Sequence, residues 1–336
     1  MTKKLTLDEV YSLAFSILTR SGVDEDGARI LAERIVDAER DGPVSHGLAM
    51  LPSYVSSVEC KWANGKAIPT WEMTTPSLLS VDGDNGFAPV ALTKSLKTLK
   101  GMANKSGVAA LLLRNSHHIS ALRADVEPLA GMGFIAITCI TTRCWMVPWG
   151  GDRKIFGTNP MAFACPRNDQ PPIVWDQAAS VMAISDIRRA AEKGEVFEQP
   201  IGVDSLGRPT GDAKQVAESN TVLPFGRHKG SAIALMIEIL AGALTSGHFS
   251  LEDDSPQFPG AKSANGGQIV IAFDPNVAYG ENFCERLEPL LAGFESNGSA
   301  RIPGDGRLER SRRVTEDGVR VSPNLWKTLQ SLTQGD

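Results

Sequence analysis

Twice between Pro89 and Thr141 a helical pattern gives way to a strand pattern, and that alternation places the chain in the α/β class. Pro89 opens a helix that runs to Lys105 and is closed by Ser106-Gly107, after which Val108 to Leu113 reads as a buried strand. A second helix, from about Ala121 to Ala130, leads into a strand from Phe134 to Thr141. Upstream, Thr6 to Glu9 forms a capping box, and Leu7, Val10, Ala14, Ile17 and Leu18 follow at helical spacing until Ser21-Gly22. A further helix, from about Asp26 to Arg40, ends at Asp41-Gly42-Pro43 and throws Val44 to Gly47 into a turn or loop. Leu78 to Val81, Ile173 to Trp175 and Gln268 to Phe273 carry shorter strand signals, while 147–166, 199–222 and 246–266 are rich in turn residues.

A chain of 336 residues exceeds the size at which one core usually stops growing, so two domains are expected. Its 34 Lys and Arg against 39 Asp and Glu leave a formal charge of −5, too little basic field to attract nucleic acid or an anionic membrane surface. The first ten residues carry acidic side chains where a secretory leader would be apolar. The longest apolar stretch, Ile233 to Leu244, is interrupted by Glu238 and too short to span a bilayer. A soluble, cytoplasmic protein is expected. Five cysteines with neither C-x-x-C nor zinc-finger spacing are expected to be reduced and mostly in the core.

The strand ending at Leu113 delivers Arg114-Asn115-Ser116-His117-His118 to its C-terminal end, where α/β sheets usually carry ligands. The two histidines point to opposite faces of an extended segment and do not suit one metal ion; Glu252-Asp253-Asp254 reads as a solvated turn, so no metal is expected. His46, between Ser45 and Gly47, has an open setting for a general acid, with the Ser45 hydroxyl able to fix its tautomer. Asp176 and Asp186 lie among small apolar residues, as a paired or functional carboxylate does, and nothing in the residues chooses between them. Arg227, His228 and Lys229 precede Ala232 to Leu240, a segment apolar on nearly every face and so expected to be buried all round. Those cations at a helix start make either a phosphate cradle or a solvated basic turn. No G-x-G-x-x-G occurs, so a nicotinamide cofactor would need a fold other than the usual dinucleotide-binding one.

Taken together, Ser45-His46-Gly47, Asn115-Ser116-His117-His118, Pro148-Trp149-Gly150-Gly151, Phe156-Gly157-Thr158-Asn159-Pro160 and His228-Lys229-Gly230 resemble the malate/L-lactate dehydrogenase family with a non-Rossmann NAD(P) fold. The passages SHHISALRADVEPLA, LPFGRHKGSA and RIPGDGRLER are most similar to its branch of Δ1-piperideine-2-carboxylate/Δ1-pyrroline-2-carboxylate reductases. The resemblance implies a mixed-sheet α/β cofactor- and substrate-binding domain, 75–279. Flanking it would be a mostly helical domain from 1–74 and 280–336, in a homodimer. It implies NADPH, with NADH as the alternative, and a cyclic imino acid substrate. His46 would be the proton donor, Ser45 and Asp186 its relay, and Thr158 a substrate contact. Four segments would line the cofactor: His118, Ile119, Ser120, Ala121 and Leu122; Asp176, Gln177 and Ala178; His228 and Lys229; and Arg301, Ile302, Pro303, Gly304, Asp305, Gly306 and Arg307.

One position departs from the family pattern. Ser-His-Gly-x-x-Arg normally supplies an arginine for the substrate carboxylate, and this chain has Met50 there, which cannot form an ion pair. Either another arginine, Arg123 or Arg143, takes over or the substrate has changed. The competing readings are a 2-hydroxyacid dehydrogenase of malate, lactate or ureidoglycolate type, and a non-catalytic member that binds a dinucleotide without turnover.

Overall fold

The computed structural model describes residues 2–42, 44–279 and 282–334. Pro43, in the turn expected after the second helix, lies outside them, as do Met1, 280–281 and 335–336. In chain order the elements are β1 (Lys3–Leu5), α1 (Leu7–Arg20), α2 (Glu25–Asp41), α3 (Leu51–Glu59), β2 (Thr70–Thr75), β3 (Leu78–Phe87), α4 (Ala88–Ser106) and β4 (Val108–His117). Then come α5 (Glu127–Gly131), β5 (Ile135–Ile140), β6 (Met161–Cys165), β7 (Ile173–Gln177), α6 (Ile184–Glu192), β8 (Gly202–Val203), β9 (Pro209–Thr210), α7 (Ala213–Ser219) and α8 (His228–Ile237). The chain closes with β10 (Asn265–Phe273), α9 (Pro275–Tyr279), α10 (Phe283–Glu295), α11 (Asp305–Asp317), β11 (Val319–Val321) and α12 (Pro323–Gln334).

A seven-stranded sheet, ordered β2-β3-β4-β10-β5-β6-β7, forms the scaffold. Only β3 and β4 run parallel, joined by the crossover helix α4; every other neighbouring pair is antiparallel. This is a mixed α/β sheet, unlike the parallel sheet of the usual dinucleotide-binding fold. Beneath it, Leu79, Val81, Leu99, Leu111, Leu113 and Leu129 are fully or almost fully buried in one core with α4 and α5. The sheet begins earlier than residue 75, because β2 pairs with β3 as its exposed edge strand.

A second core joins the two ends of the chain. Val10, Ile17 and Leu18 of α1 and Leu31 and Ile35 of α2 pack with Val319 and Val321 of β11 and Leu329 of α12, and β1 pairs with β11. The Thr6–Glu9 capping box is present in full at the start of α1. A third, smaller core unites α6, α7 and α8 through Ile187, Val216 and Ala234, together with Met146 and Val222.

Two expected helices differ from expectation. The segment from Ala121 to Ala130 divides into a 3-10 turn, Leu122–Asp125, and the short α5, because Pro128 has no N–H with which to continue the preceding turn. The apolar segment after Lys229 is buried on one side only. Ile237 and Ala241 pack on Ile269 and Cys139 of the sheet, while Leu235 and Ile239 are 52% and 53% exposed. All five cysteines are free thiols, and Cys139 and Cys165 are buried. Among the described residues no helix is long and apolar enough to cross a membrane.

Candidate active site

His46 lies in a tight 3-10 turn, Val44–His46, between α2 and α3. The turn is anchored from below by Glu39, a buried residue of α2 whose Oε1 accepts a 2.8 Å bond from the Leu48 N–H. Glycine is required at 47, since a Cβ there would lie 2.2 Å from that same carboxylate oxygen. Above the turn, Ser45 Oγ lies 3.2 Å from His46 Nδ1, which leaves Nε2 as the nitrogen free to meet a substrate.

His46 opens onto a cavity of about 200 Å³ that Thr158, His118, Met50, Arg143 and Trp145 also line. Its far wall comes from Lys262 to Ala264 and from Gly266, Gly267 and Gln268 at the start of β10. Burial pushes the His46 imidazole below its ordinary value; the carboxylate of Asp176 opposes that shift, while His118 and Arg123 reinforce it.

The adjacent histidines divide their tasks as their alternation requires. His117 turns into the core between Ser263 Oγ (3.0 Å) and Asn85 Oδ1 (2.9 Å), and burial holds it at about 4, so it stays neutral. His118 turns to the cavity with its Nε2 2.7 Å from Asp125 Oδ2. Gln268 Nε2 donates to the same oxygen at 2.9 Å. Burial works against ionisation of Asp125, but the neighbouring His118, Arg34 and Gln268 outweigh it and keep the carboxyl below its usual range. Asp125 and Gln268 were not singled out in the sequence; the available signal was a carboxylate seven residues after His118, in a largely small and apolar run shared with Arg123.

Thr158 is set by its neighbour. Asn159, buried and at φ 37°, donates through Nδ2 to Glu238 Oε1 at 2.7 Å and receives the Ser250 hydroxyl on Oδ1 at 3.1 Å. Glu238, the one charge in the apolar run, thus fixes the Gly-Thr-Asn-Pro turn, with its other oxygen accepting the Ser250 N–H at 3.0 Å.

Three of the four expected cofactor segments meet one another, and the first lines this cavity through His118 and Ile119. The Arg123 N–H, following Leu122, donates to Asp176 Oδ2 at 3.2 Å. Gly304 packs directly on the Val174 carbonyl in β7, two residues before Asp176, so Arg301 to Arg307 run alongside. Arg307 Nη1 is 2.7 Å from Glu127 Oε1 and 3.4 Å from Asp41 Oδ2, the same two carboxylates that hold Arg123. The fourth segment is linked through the backbone: the Ala179 N–H, next to Gln177-Ala178, donates to Thr158 O, and Ala179 O accepts from Phe225. His228 and Lys229 follow as exposed residues in the first turn of α8, outside the cavity itself. Two buried polar atoms in these segments, Ser120 Oγ and Arg307 Nε, have no hydrogen-bond partner among the described residues. Unsatisfied donors beside cationic side chains fit a phosphorylated dinucleotide.

Asp186 is not brought to His46 within this chain. It sits in the first turn of α6, half exposed, 3.4 Å from Arg189. Asp176, which the sequence offered beside Asp186 as a paired or functional carboxylate and also as a cofactor contact, is the carboxylate whose charge favours the protonated His46 ring.

The malate/L-lactate dehydrogenase profile matches residues 5–330. The chain belongs to that family. A family member from Pseudomonas putida, a Δ1-pyrroline-2-carboxylate/Δ1-piperideine-2-carboxylate reductase, is 40% identical over 98% of this chain and 96% of its own. The crystal structure of Δ1-piperideine-2-carboxylate reductase from Pseudomonas syringae pv. tomato superposes with a TM-score of 0.94 at 38% identity, covering 98% of this chain and all of the other. A (2R)-3-sulfolactate dehydrogenase from Chromohalobacter salexigens is 33% identical over 93% of both chains. Within the family this chain is an oxidoreductase that uses a nicotinamide cofactor.

Proposed function

We propose that the protein reduces a cyclic imino acid, Δ1-piperideine-2-carboxylate or Δ1-pyrroline-2-carboxylate, to L-pipecolate or L-proline. The observation that carries this reading is the convergence of His46, Thr158 and Met50 on one small cavity beside the expected cofactor segments, in a chain 40% identical to a reductase of these imines. A bound reduced nicotinamide supplies a hydride to the imine carbon. His46 supplies the proton that the ring nitrogen takes up as the C=N electron pair moves onto it. Ser45 holds Nδ1, so the proton leaves from Nε2. Thr158 positions the substrate, and the Asp176 carboxylate favours the protonated His46 ring.

NADPH is the cofactor in this reading. Arg227, Lys229 and Arg301, in or beside the expected cofactor segments, are cations that suit a 2′-phosphate. The exposed apolar flank of α8 and the π-helical turn after it, Glu238–Ala243, with Leu235, Met236, Ile239 and the adjoining Leu244, supports a homodimer closed through that face. An aspartate at Ile239 is expected to convert a dimer into monomers in light-scattering measurements, whereas an unchanged mass would remove the flank from the interface. We place the enzyme in the cytoplasm, on its five free thiols.

The test is loss of NADPH absorbance with Δ1-piperideine-2-carboxylate, Δ1-pyrroline-2-carboxylate, pyruvate and oxaloacetate. Turnover confined to the two imines is the expected result. Turnover confined to the open-chain acids would move the protein to the 2-hydroxyacid readings that its sulfolactate dehydrogenase relative represents, and silence on all four would favour a non-catalytic member.

The direction of the His46 shift sets the pH dependence. The protonated ring is the acid, so the reductive rate is expected to fall as pH rises through the His46 pKa, which lies below the ordinary 6.5. Asp176 favours the charged ring, so Asp176→Asn is expected to move that limb to still lower pH. An NMR titration of the His46 ring in both proteins checks the assignment, and identical midpoints would remove Asp176 from the pair.

A further inference from the structure

The cavity that His46 enters must hold a carboxylate if the proposed function is right, and the inference here rests on that reading. Met50 lines the cavity where the family pattern has an arginine, and its thioether cannot pair with an anion. The cation has to come from elsewhere in the wall.

Four cation-capable side chains line the cavity: His46, His118, Arg143 and Lys262. His46 is committed to proton transfer, and His118 already faces Asp125 at 2.7 Å. Arg123, the other arginine weighed in the sequence, is excluded by its surroundings. Its side chain is 4% exposed and reaches Asp41, Glu127 and the carbonyls of Asp37 and Gly42, so it holds α2 against α5 and has nothing left to offer.

Arg143 is in the opposite situation. Its Nε is buried and has no hydrogen-bond partner among the described residues. The nearest carboxylate oxygen, Asp253 Oδ2, stands 3.6 Å from Nε, too far for a hydrogen bond but close enough to orient the charge. The guanidinium lies over the Trp145 ring, 5.2 Å from its centre, and the side chain is 22% exposed. Trp145 also lines the cavity. A planar fork stacked on an indole and steered by one carboxylate is pre-organised, with most of its N–H groups unspent.

We infer that Arg143 binds the substrate carboxylate in place of the arginine missing at Met50, as a bidentate pair presented from the Trp145 side of the cavity. Met50 then contributes an apolar surface for the ring methylenes. Relocating the anchor from one wall to the other turns the ring within the pocket, so ring size and substituents next to the carboxylate are selected differently from a site with arginine at 50.

The experiment compares the wild type with Arg143→Met, Arg143→Lys, Lys262→Met and the double variant Met50→Arg/Arg143→Met, reading KM and kcat separately with NADPH affinity by fluorescence. Arg143→Met is expected to raise KM on the order of 100-fold, as loss of a charge-assisted bidentate pair does. Its kcat should change by less than about tenfold, with NADPH affinity unaltered. Lysine at 143 should recover part of the loss, and the double variant should recover more, because it restores one guanidinium to the cavity. An unchanged KM in Arg143→Met overturns the inference, and a large KM increase in Lys262→Met alone would transfer the role to Lys262. Loss of NADPH binding together with substrate binding in Arg143→Met would also overturn it, by showing a structural role. If the wild type reduces only open-chain 2-oxo acids, the imine reading fails, yet the same KM comparison on those acids still decides Arg143, since they carry the same carboxylate.

Discussion

Replacing His46 by alanine is expected to reduce kcat by about 10²- to 10⁴-fold, the range that a positioned general acid contributes. NADPH affinity should stay close to that of the wild type, because His46 sits in the 44–46 turn on the cavity floor and not among the four segments expected to line the cofactor. The turn itself is held from α2 by Glu39 on the Leu48 N–H, a bond that does not involve the imidazole, so the alanine variant should keep its thermal midpoint. Steady-state kinetics and a fluorescence titration of the cofactor check the two halves separately. Retention of turnover would place the proton donor elsewhere, with water as the first alternative; joint loss of turnover and cofactor binding would make His46 structural.

Replacing Gly267 by alanine is expected to cost more than about 3 kcal/mol of stability, beyond the usual range for overpacking, because the obstacle is backbone. An added Cβ would lie 1.8 Å from the Ala241 carbonyl oxygen and 2.3 Å from Thr245 Oγ1. Relief requires β10 to separate from the π-helical turn Glu238–Ala243 that packs on it. That same turn carries Glu238, so the shift would also release Asn159 and with it Thr158. Thermal unfolding should move down by roughly 6 °C or more for a chain of this size. Gly293 in α10 provides the control. Nothing lies within 4 Å of a Cβ there, and Gly293→Ala should be neutral or stabilising by up to about 1 kcal/mol. Equal midpoints for the two variants would show that the sheet yields to the methyl group.

Where local chemistry decides an element, it was legible. The Thr6–Glu9 box begins α1, and Gly107, at φ 74°, ends α4 where Ser106-Gly107 had been expected to end it. Strand β4 was foreseen only to Leu113, because Arg114 to His117 are polar; the structure continues it four residues further, as their backbone pairs with β3 and with β10. Strand β6 was hidden in a glycine- and proline-rich passage whose turns dominate the pattern. The one-sided burial of α8 could not be read from a segment apolar on every face, since amphipathic contrast is what tells a reader which side faces in. The site divides along the same line. His46, Thr158 and His118 stood in recognisable motifs and do share a cavity. Asp176 and Asp186 had equivalent local surroundings, and only the pairing of β7 with β6 and the approach of Arg123 distinguish them. The contacts that set Asp125 and Arg143, with Gln268 and Asp253, are made across the fold, and no local window contains them.

The strand order has a consequence for how the protein is made. Strand β10 lies between β4 and β5, so the centre of the sheet is filled by residues that leave the ribosome about 150 positions after the first strand they pair with. Until then the inner edges of β4 and β5 are unpaired, and the nascent chain has two half-sheets that cannot join. Gly266, Gly267 and Gln268 belong to the late strand and to the cavity wall at once. The event that seals the sheet therefore also completes the reaction chamber.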